Sequence, residues 1–394
     1  MIKDITASVK FIGVDDLDLD LFESQYVVPE GMSYNSYVIL DEKVAVLDTA
    51  DGRKGEAWKA NLAEALGSRT PDYLVVHHME PDHSALIAWM LETYPSVTLV
   101  ATAAALKMLP QFFEGIALEG RTLAVKEGDT LCLGSHSLRF TMAPMVHWPE
   151  VMVSYESSEK LLFSADAFGR FGAMEKIAFW ASDDDDWACE ARRYYFNICG
   201  KYGVQVQNLL RKLADVDIAM ICPLHGPVLN ENLPYYLGLY QTWSSYGVET
   251  EGIFVAYASI HGGTAAAAER FAEILRQKGC PKVATADLTR DDLAEGVEDA
   301  FRYGKMVLAA SSYDAGVFTP MHDFLYRLQA KGYQKRTVGL IENGSWAPSA
   351  GRVMKEMLGA MKDVTVVEPL VTIRSRMHAE DLPKLEALAD AMLQ

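Results

Sequence analysis

From about residue 250 onward, short apolar runs alternate with helix-like segments at a regular spacing. The five runs are Gly252 to Ala258, Val283 to Ala286, Met306 to Ala310, Thr337 to Ile341 and Val364 to Val367. Each run is followed by a segment of helical character, and strands joined through helices lie parallel with right-handed crossovers. The pattern therefore predicts a doubly wound α/β fold with a five-stranded parallel sheet in this part of the chain.

The preceding part of the chain has a different pattern, in which short strand-like runs are interspersed with turns and helices. These runs lie at residues 44–47, 73–76, 98–101, 137–142, 151–155 and 161–163. A length of 394 residues allows two or three domains of roughly 150 residues each. We therefore predict one domain over residues 1–248 and a second over residues 249–394, with a linker around Tyr235 to Gly252.

Charge and hydropathy exclude several classes of partner. With 36 Lys and Arg against 54 Asp and Glu, the formal net charge is −18, whereas binding to nucleic acid or anionic lipid requires basic patches. No apolar run approaches the roughly 18 residues of a membrane span, and the N-terminus lacks the apolar core of a secretory signal. The five cysteines are odd in number and widely spaced, which is typical of buried reduced thiols. We predict a cytoplasmic protein that binds neither nucleic acid nor membrane.

A cluster of potential metal ligands directly follows the strand-like run at residues 73–76. Its members are His78, Glu80, Asp82 and His83, and Pro81 prevents a regular helix through them. Imidazoles and carboxylates at this density repel one another or stay unpaired unless a cation lies between them. His147, Asp166 and His225 follow further strand-like runs. We therefore predict a metal site at His78, Glu80, Asp82 and His83, whereas a lone histidine or aspartate such as His147 or Asp166 is by itself typical of a hydrogen-bonded loop, turn or cap residue. His77 breaks the spacing and is interpreted as a neighbour that adds a second nitrogen donor nearby.

The order H-x-E-x-D-H followed by His, Asp and His resembles the metallo-β-lactamase fold. In zinc hydrolases of that fold the third motif position is usually His, whereas here it is Glu80. A carboxylate in that place makes the site harder and more anionic, which suits iron better than zinc. Together with a flavodoxin-like C-terminal domain, this substitution resembles the flavodiiron proteins, or A-type flavoproteins, along essentially the whole chain. The resemblance implies an αββα sandwich for the N-terminal domain.

The resemblance also implies a ligand set. One iron would be held by His78, Glu80 and His147, and the second by Asp82, His83 and His225, with Asp166 bridging them. Glu80, His147 and Asp166 are the residues that we expect to be catalytic. In some members of the family the histidine that matches His83 turns away from the metal.

A second set of residues resembles the flavin-binding loops of flavodoxins. The first loop follows the first strand of the parallel sheet and opens a helix, where hydroxyls, glycines and free N–H groups hold a phosphate without Lys or Arg. Its residues are Ser259, Ile260, His261, Gly262, Gly263 and Thr264. The other two loops follow the third and fourth strands, and comprise Ser312, Tyr313, Asp314, Ala315 and Gly316, and then Asn343, Gly344, Ser345 and Trp346. We predict that they bind FMN, with Trp346 beside the isoalloxazine ring, although Ala347 and Pro348 depart from the glycine-rich family pattern.

Two cofactors of this kind imply a terminal reductase. A diferrous pair and a flavin hydroquinone together supply four electrons, which is the number that reduces O2 to two waters, and two electrons reduce two NO to N2O. The resemblance implies a head-to-tail homodimer or a dimer of dimers, and a separate electron donor, either rubredoxin or reduced coenzyme F420. Two alternatives stay open at this point. One is a metal hydrolase of the metallo-β-lactamase type, and the other is an FMN-binding electron carrier or gas sensor.

Overall fold

The computed structural model describes residues 2–394, and these form two compact units. The first unit extends to Tyr195 and also includes Val204–Gln241, whereas the second comprises Phe196–Gly203 and Thr242–Gln394. The domain boundary between residues 248 and 249 stays a prediction.

The first unit contains most of the strands. They are β1 (Lys3–Asp4), β2 (Val9–Phe11), β3 (Val14–Asp16), β4 (Leu21–Phe22), β5 (Tyr26–Val27), β6 (Met32–Tyr34), β7 (Tyr37–Leu40), β8 (Val44–Leu47), β9 (Tyr73–Val75), β10 (Thr98–Thr102), β11 (Thr122–Val125), β12 (Thr130–Cys132), β13 (Ser137–Met142), β14 (Met152–Glu156), β15 (Leu161–Phe163) and β16 (Met220–Cys222). The helices up to residue 244 are α1 (Gly55–Leu66), α2 (Pro81–Ser84), α3 (Ile87–Thr93), α4 (Ala103–Phe112), α5 (Trp187–Ile198), α6 (Gly203–Leu213) and α7 (Leu233–Ser244).

Two sheets pack face to face in this unit. One has the strand order β1-β2-β7-β8-β9-β10-β11 and the other has the order β12-β13-β14-β15-β16. Their shared core contains Phe11, Tyr37 and Val100 from the first sheet and Phe140 and Phe163 from the second. Apolar residues alternate along these strands or follow one another continuously, because each strand buries at least one face between the layers. The arrangement confirms the predicted metallo-β-lactamase-like sandwich.

The second unit is a doubly wound sheet with short additions. Its elements are β17 (Thr250–Ala258), α8 (Gly263–Gln277), β18 (Val283–Asp287), α9 (Leu293–Arg302), β19 (Tyr303–Tyr313), β20 (Gly316–Val317), α10 (Thr319–Ala330), β21 (Arg336–Asn343), α11 (Ala350–Gly359), β22 (Val364–Val366), β23 (Val371–Ile373) and α12 (Leu382–Leu393). The main order, β18-β17-β19-β21-β22, is parallel throughout. This confirms the predicted flavodoxin-like topology, in which ligands bind at the carboxyl ends of the strands.

The fifth strand position is divided between two segments. β22 pairs with the beginning of β21, and β23 pairs with its end. The chain therefore continues along the edge of the sheet to the level where β21 ends at Asn343. This extension carries residues 374–376 to the same end of the sheet as the predicted flavin loops.

The predicted linker around Tyr235 to Gly252 is wrong over its first half, because α7 occupies Leu233–Ser244. Tyr236, Tyr240 and Trp243 are buried, and their spacing of four and three residues places them on one side of the helix. The aromatic content of this stretch reflects a packed helix rather than a connecting segment. Among residues 2–394, no helix combines the length and the apolar character needed to cross a membrane.

Candidate functional site

The seven predicted ligands lie at the ends of strands in the first unit. His78 and Glu80 follow β9, and Asp82 and His83 lie in the single-turn helix α2, which begins at Pro81. His147 lies in the loop between β13 and β14, Asp166 follows β15, and His225 follows β16. Strand ends from both sheets therefore contribute to one buried cluster, which divides into two groups.

The first group consists of His78, Glu80 and His147, together with one oxygen of Asp166. Oε2 of Glu80 lies 3.2 Å from Nε2 of His78 and 3.0 Å from Nε2 of His147. The two Nε2 atoms are 3.3 Å apart, and Oδ2 of Asp166 lies 3.1 Å from Nε2 of His147. Two imidazole nitrogens and two carboxylate oxygens thus converge on one point.

The second group consists of Asp82, His83 and His225. Nε2 of His83 and Nε2 of His225 are 3.0 Å apart, and Oδ2 of Asp82 lies 3.4 and 3.3 Å from them, respectively. Oδ1 of Asp166 lies 3.3 Å from Nε2 of His83. Asp166 therefore directs one oxygen to each group, which is the geometry of a carboxylate that bridges two metal ions.

Two of the histidines are oriented from outside the cluster. Nδ1 of His78 lies 2.9 Å from Oε1 of Glu150, which also accepts a hydrogen bond from the Met79 N–H. Nδ1 of His225 donates to the carbonyl oxygen of Ser33, at 2.7 Å. Such bonds fix the tautomer and direct Nε2 inward. The sequence reasoning missed Glu150 and Ser33. Glu150 lies close to His147 along the chain, which was the one signal that could have indicated it. No feature of the sequence indicated Ser33.

The donor atoms of the cluster fit a pair of metal ions. Both carboxylate oxygens of Asp82 are buried and make no hydrogen bond to residues 2–394, a costly state for a carboxylate without a cation. Burial lowers the pKa of His147, but hydrogen bonds with Asp166 and Glu80 outweigh it and raise the pKa to about 9. Burial raises the pKa of Asp166, yet His78, His147 and His83 hold it well below its usual range. The cluster thus strongly favours bound positive charge.

His77 is a neighbour of the cluster and has no free nitrogen to donate to a metal. Its Nδ1 lies 2.6 Å from Oδ2 of Asp48 and its Nε2 lies 2.7 Å from Oγ of Ser154. The prediction that His77 adds a second nitrogen donor is therefore wrong. Asp48 also accepts the His77 N–H, and Thr49 donates its N–H and its hydroxyl to the carbonyl oxygen of His83. The two residues that follow β8 thus hold both ends of the ligand loop.

A small cavity of about 230 Å³ lies against the cluster. Glu80 and Asp82 form part of its wall, and Phe22, Tyr34 and Asp51 are among the other lining residues. Pockets for drug-sized ligands usually measure about 300–1,000 Å³. The cavity is therefore suited to a small molecule and leaves little room for a large substrate.

The first predicted flavin loop forms an open N-terminus of α8 in the second unit. Gly262 has φ +84° and precedes the helix, and no side chain caps the first turn. A Cβ on Gly262 would meet no atom within 4 Å, so the space beside this residue is open. Ser259 Oγ accepts the Gly262 N–H, and the Thr264 hydroxyl bonds Ser311 Oγ at 2.8 Å. Ile260 and His261 are exposed, and the loop as a whole fits a phosphate.

The other two loops lie at the ends of β19 and β21. Ser312 Oγ accepts the N–H groups of Ser349 and Ala350, which ties the two loops together. Asp314 and Ala315 both have positive φ, of 47° and 56°. The remaining loop residues are Tyr313, Gly316, Asn343, Gly344, Ser345 and Trp346, of which Trp346 is 88% exposed. An indole so exposed is available to cover a bound ring, and the carboxyl-end location matches that of ligands in this topology.

Comparison with known proteins relates both parts of the chain to one group of proteins. Residues 32–226 match the family model described as ODP family beta lactamase. The chain is 31% identical over 244 residues to diflavin flavoprotein A 1 of Synechocystis, covering 61% of this chain and 42% of the relative. It is 28% identical over 319 residues to the anaerobic nitric oxide reductase flavorubredoxin of Vibrio vulnificus, covering 79% and 64%, respectively. The chain spans 58–59% of the length of three further cyanobacterial relatives.

Two solved structures share the fold of the entire chain. The flavodiiron protein of Giardia intestinalis superposes with a TM-score of 0.91 at 22% identity, covering 100% of this chain and 96% of the other. The rubredoxin oxygen:oxidoreductase of Desulfovibrio gigas superposes with a TM-score of 0.90 at 23% identity, covering 100% and 98%. At these identities the likeness establishes the fold.

Proposed function

Because this chain carries a domain of the ODP β-lactamase family and has the fold of the flavodiiron proteins throughout, we propose that it is a diiron oxidoreductase with FMN as electron source. Its substrates are O2, which it reduces to water, NO, which it reduces to N2O, or both. The relatives named as a nitric oxide reductase and as an oxygen oxidoreductase support this proposal.

The observation that carries the proposal is the position of Asp166 between the two ligand groups. His78, Glu80 and His147 would hold one iron, and Asp82, His83 and His225 the other, while Asp166 shares its oxygens between them. Each metal would then have two imidazoles and a carboxylate of its own, a donor set that suits iron. Three carboxylates offset most of the four positive charges of two ferrous ions, which leaves the pair able to attract a small ligand.

When bound, the two ferrous ions supply two electrons and the reduced flavin supplies two more. The reactions balance as O2 + 4e⁻ + 4H⁺ → 2H2O and 2NO + 2e⁻ + 2H⁺ → N2O + H2O. The chain contributes geometry, because Glu150 and the Ser33 carbonyl orient His78 and His225, and a cavity of about 230 Å³ adjoins the cluster. That volume lies below the range of about 300–1,000 Å³ usual for drug-sized ligands, which supports a small substrate.

FMN would bind at the carboxyl end of the parallel sheet in the second unit. The open N-terminus of α8 would take the phosphate, and the loops at Ser312–Gly316 and Asn343–Trp346 would surround the ring. Trp346 is the residue that we expect to cover one face. The support for this assignment is the position of these loops at the ends of β17, β19 and β21.

The partners in this proposal follow from the likeness to flavodiiron proteins. We expect a head-to-tail dimer, or a dimer of dimers, in which the flavin of one chain serves the iron of another. The donor would be a separate protein or cofactor, with rubredoxin the first candidate and reduced F420 the second. We place the protein in the cytoplasm, since Cys132, Cys222 and Cys280 form no disulfide and such thiols persist in a reducing compartment.

The experiment that tests the proposal combines composition with turnover. Protein purified without oxygen should contain about two irons and one FMN per chain, and the reduced protein should be reoxidised by O2, by NO or by both in stopped-flow mixing. Asp166→Ala should abolish this reoxidation by removing the shared ligand, while the flavin spectrum is retained. Zinc without flavin, together with hydrolase activity, would refute the proposal.

A further inference from the structure

The segment at residues 374–376, which follows β23, lies directly against the N-terminus of α8. A Cβ built on Gly263, the first residue of that helix, would lie 2.2 Å from the carbonyl oxygen of Ser375. Only glycine permits so close an approach, because any larger residue would collide with the backbone of the segment. A part of the chain about 110 residues later therefore forms one wall of the predicted phosphate loop.

The same segment is fastened to the third predicted flavin loop. Asn343 donates from Nδ2 to the Ser375 carbonyl, at 3.1 Å, and its Oδ1 accepts the Ser375 N–H, at 2.9 Å. The hydroxyls of Ser345 and Ser375 are 2.7 Å apart. These contacts hold the segment in a fixed place between two of the three flavin loops.

The backbone turns sharply at Ser375. This residue has φ +66°, and the Arg376 N–H donates to the Arg374 carbonyl oxygen at 2.8 Å. A three-residue turn with positive φ at its centre is rare and strained. The strain is sustained by the contacts with Asn343, and the turn presents an arginine on each side of Ser375.

Both arginines are exposed and lack an acidic partner. Nη1 of Arg374 donates to the Trp346 carbonyl oxygen, at 3.3 Å, and no ion pair within 4.0 Å is formed by Arg374 or Arg376 with any carboxylate of residues 2–394. In a chain with 54 acidic and 36 basic residues, two unpaired cations beside an uncapped helix N-terminus form a local site for negative charge. Guanidinium groups are well matched to phosphate oxygens.

We propose that Arg374 and Arg376 bind the phosphate of FMN at the N-terminus of α8. This inference rests on the proposed flavin site and deepens it. The sequence predicts a phosphate loop without Lys or Arg, whereas the structure supplies both cations from the segment after β23. The consequence is a site that distinguishes FMN from riboflavin by charge as well as by the backbone N–H groups of the loop.

The test measures the dissociation constants of FMN and of riboflavin for the flavin-free full chain, by quenching of flavin fluorescence. The variants are Arg374→Gln, Arg376→Gln and the double variant. Arg352→Gln is the matched control, since Arg352 lies exposed on α11 and pairs with Glu356 instead. We expect each site variant to weaken FMN binding about tenfold or more, as for the loss of charge-assisted hydrogen bonds. Riboflavin affinity should be unchanged in these variants, and the control should bind both flavins as the wild type does. The salt dependence of FMN affinity should also fall in the double variant.

Two results would overturn the inference while the flavin site stands. Unchanged FMN affinity in the double variant would show that the arginines do not contact the phosphate. An equal weakening of FMN binding and riboflavin binding would show that the arginines only shape the loop. A wild-type chain that binds neither flavin would instead refute the proposed flavin site itself, and the inference with it.

Discussion

The Nδ1 atom of His77 lies 2.6 Å from Oδ2 of Asp48, and both side chains are buried. The other ring nitrogen bonds the hydroxyl of Ser154 on β14. The imidazole thus connects the ends of β8 and β9 in one sheet with a strand of the other. A histidine directly beside the predicted ligand His78 therefore serves to hold the two layers together.

We expect His77→Asn to lower the free energy of unfolding by about 1–3 kcal/mol, because a buried hydroxyl or carboxylate loses its partner. Iron content should be unchanged, since the ring has no free nitrogen for a metal. Denaturant unfolding and metal analysis of one preparation measure both effects. Ser154→Ala is the control, and it should cost less because it breaks one of the two hydrogen bonds of the imidazole, whereas His77→Asn removes the imidazole from both. Loss of iron in folded His77→Asn would show that His77 is a ligand after all.

The sequence pattern was sufficient to predict the two folds and a cluster of possible metal ligands after β9. The strand-like runs at residues 73–76 and 161–163 correspond to β9 and β15, and each of these strands shortly precedes a residue of the cluster. A metal site could then be inferred because Glu80, Asp82 and His83 are close together along the chain. The addition of His147, Asp166 and His225, and the grouping of the ligands into two sets, came from a family resemblance and not from the spacing.

What the sequence could not predict depends on contacts between distant segments. Glu150 lies 72 residues from His78, and its hydrogen bond exists only because β13 and β14 fold over the end of β9. The division of the fifth strand into β22 and β23 places Ser375 against Gly263, and no local pattern indicates that approach. The helix α7 was missed because other apolar residues, such as Leu237 and Leu239, lie between Tyr236, Tyr240 and Trp243 and mask their helical spacing.

The carboxylate of Glu150 should determine how tightly iron is held. We expect Glu150→Ala to weaken iron binding about 10–100-fold, because His78 then loses the bond that fixes its tautomer. Flavin content should stay constant. Competition with a chelator of known affinity measures the effect. Glu156→Ala is a matched control in the same unit, because buried Glu156 accepts the N–H groups of Ser158 and Glu159 and lies outside the cluster. Equal losses of iron affinity in both variants would contradict the proposed role.

Metal removal should make the stability of the protein sensitive to alkaline pH. The pKa of His147 is raised to about 9 in the metal-free cluster, against about 6.5 in an unfolded chain. Its contribution is therefore fully present below pH 6.5 and is lost as the pH rises through about 9, with an upper limit of about 3 kcal/mol. Urea unfolding of the metal-free chain at pH 6.5 and 9 measures this loss. Iron-loaded protein and metal-free His147→Gln should lose less stability, and an equal loss in all three would exclude His147 as the cause.

Mixed dimers test whether electrons pass between chains. Asp166→Ala removes the proposed shared metal ligand, and Gly263→Val places a side chain where the Ser375 carbonyl lies, so each variant alone should be inactive. In a head-to-tail dimer, a hybrid of the two retains one iron site that faces an intact flavin, and an equal mixture after subunit exchange should recover about a quarter of wild-type turnover. Consumption of added O2, or of NO in the absence of oxygen, with a chemically reduced donor measures the recovery. Subunit exchange is verified with differently tagged chains. Recovery should be absent when either variant is mixed with itself. No recovery in verified hybrids would require that each chain supplies its own iron site with electrons.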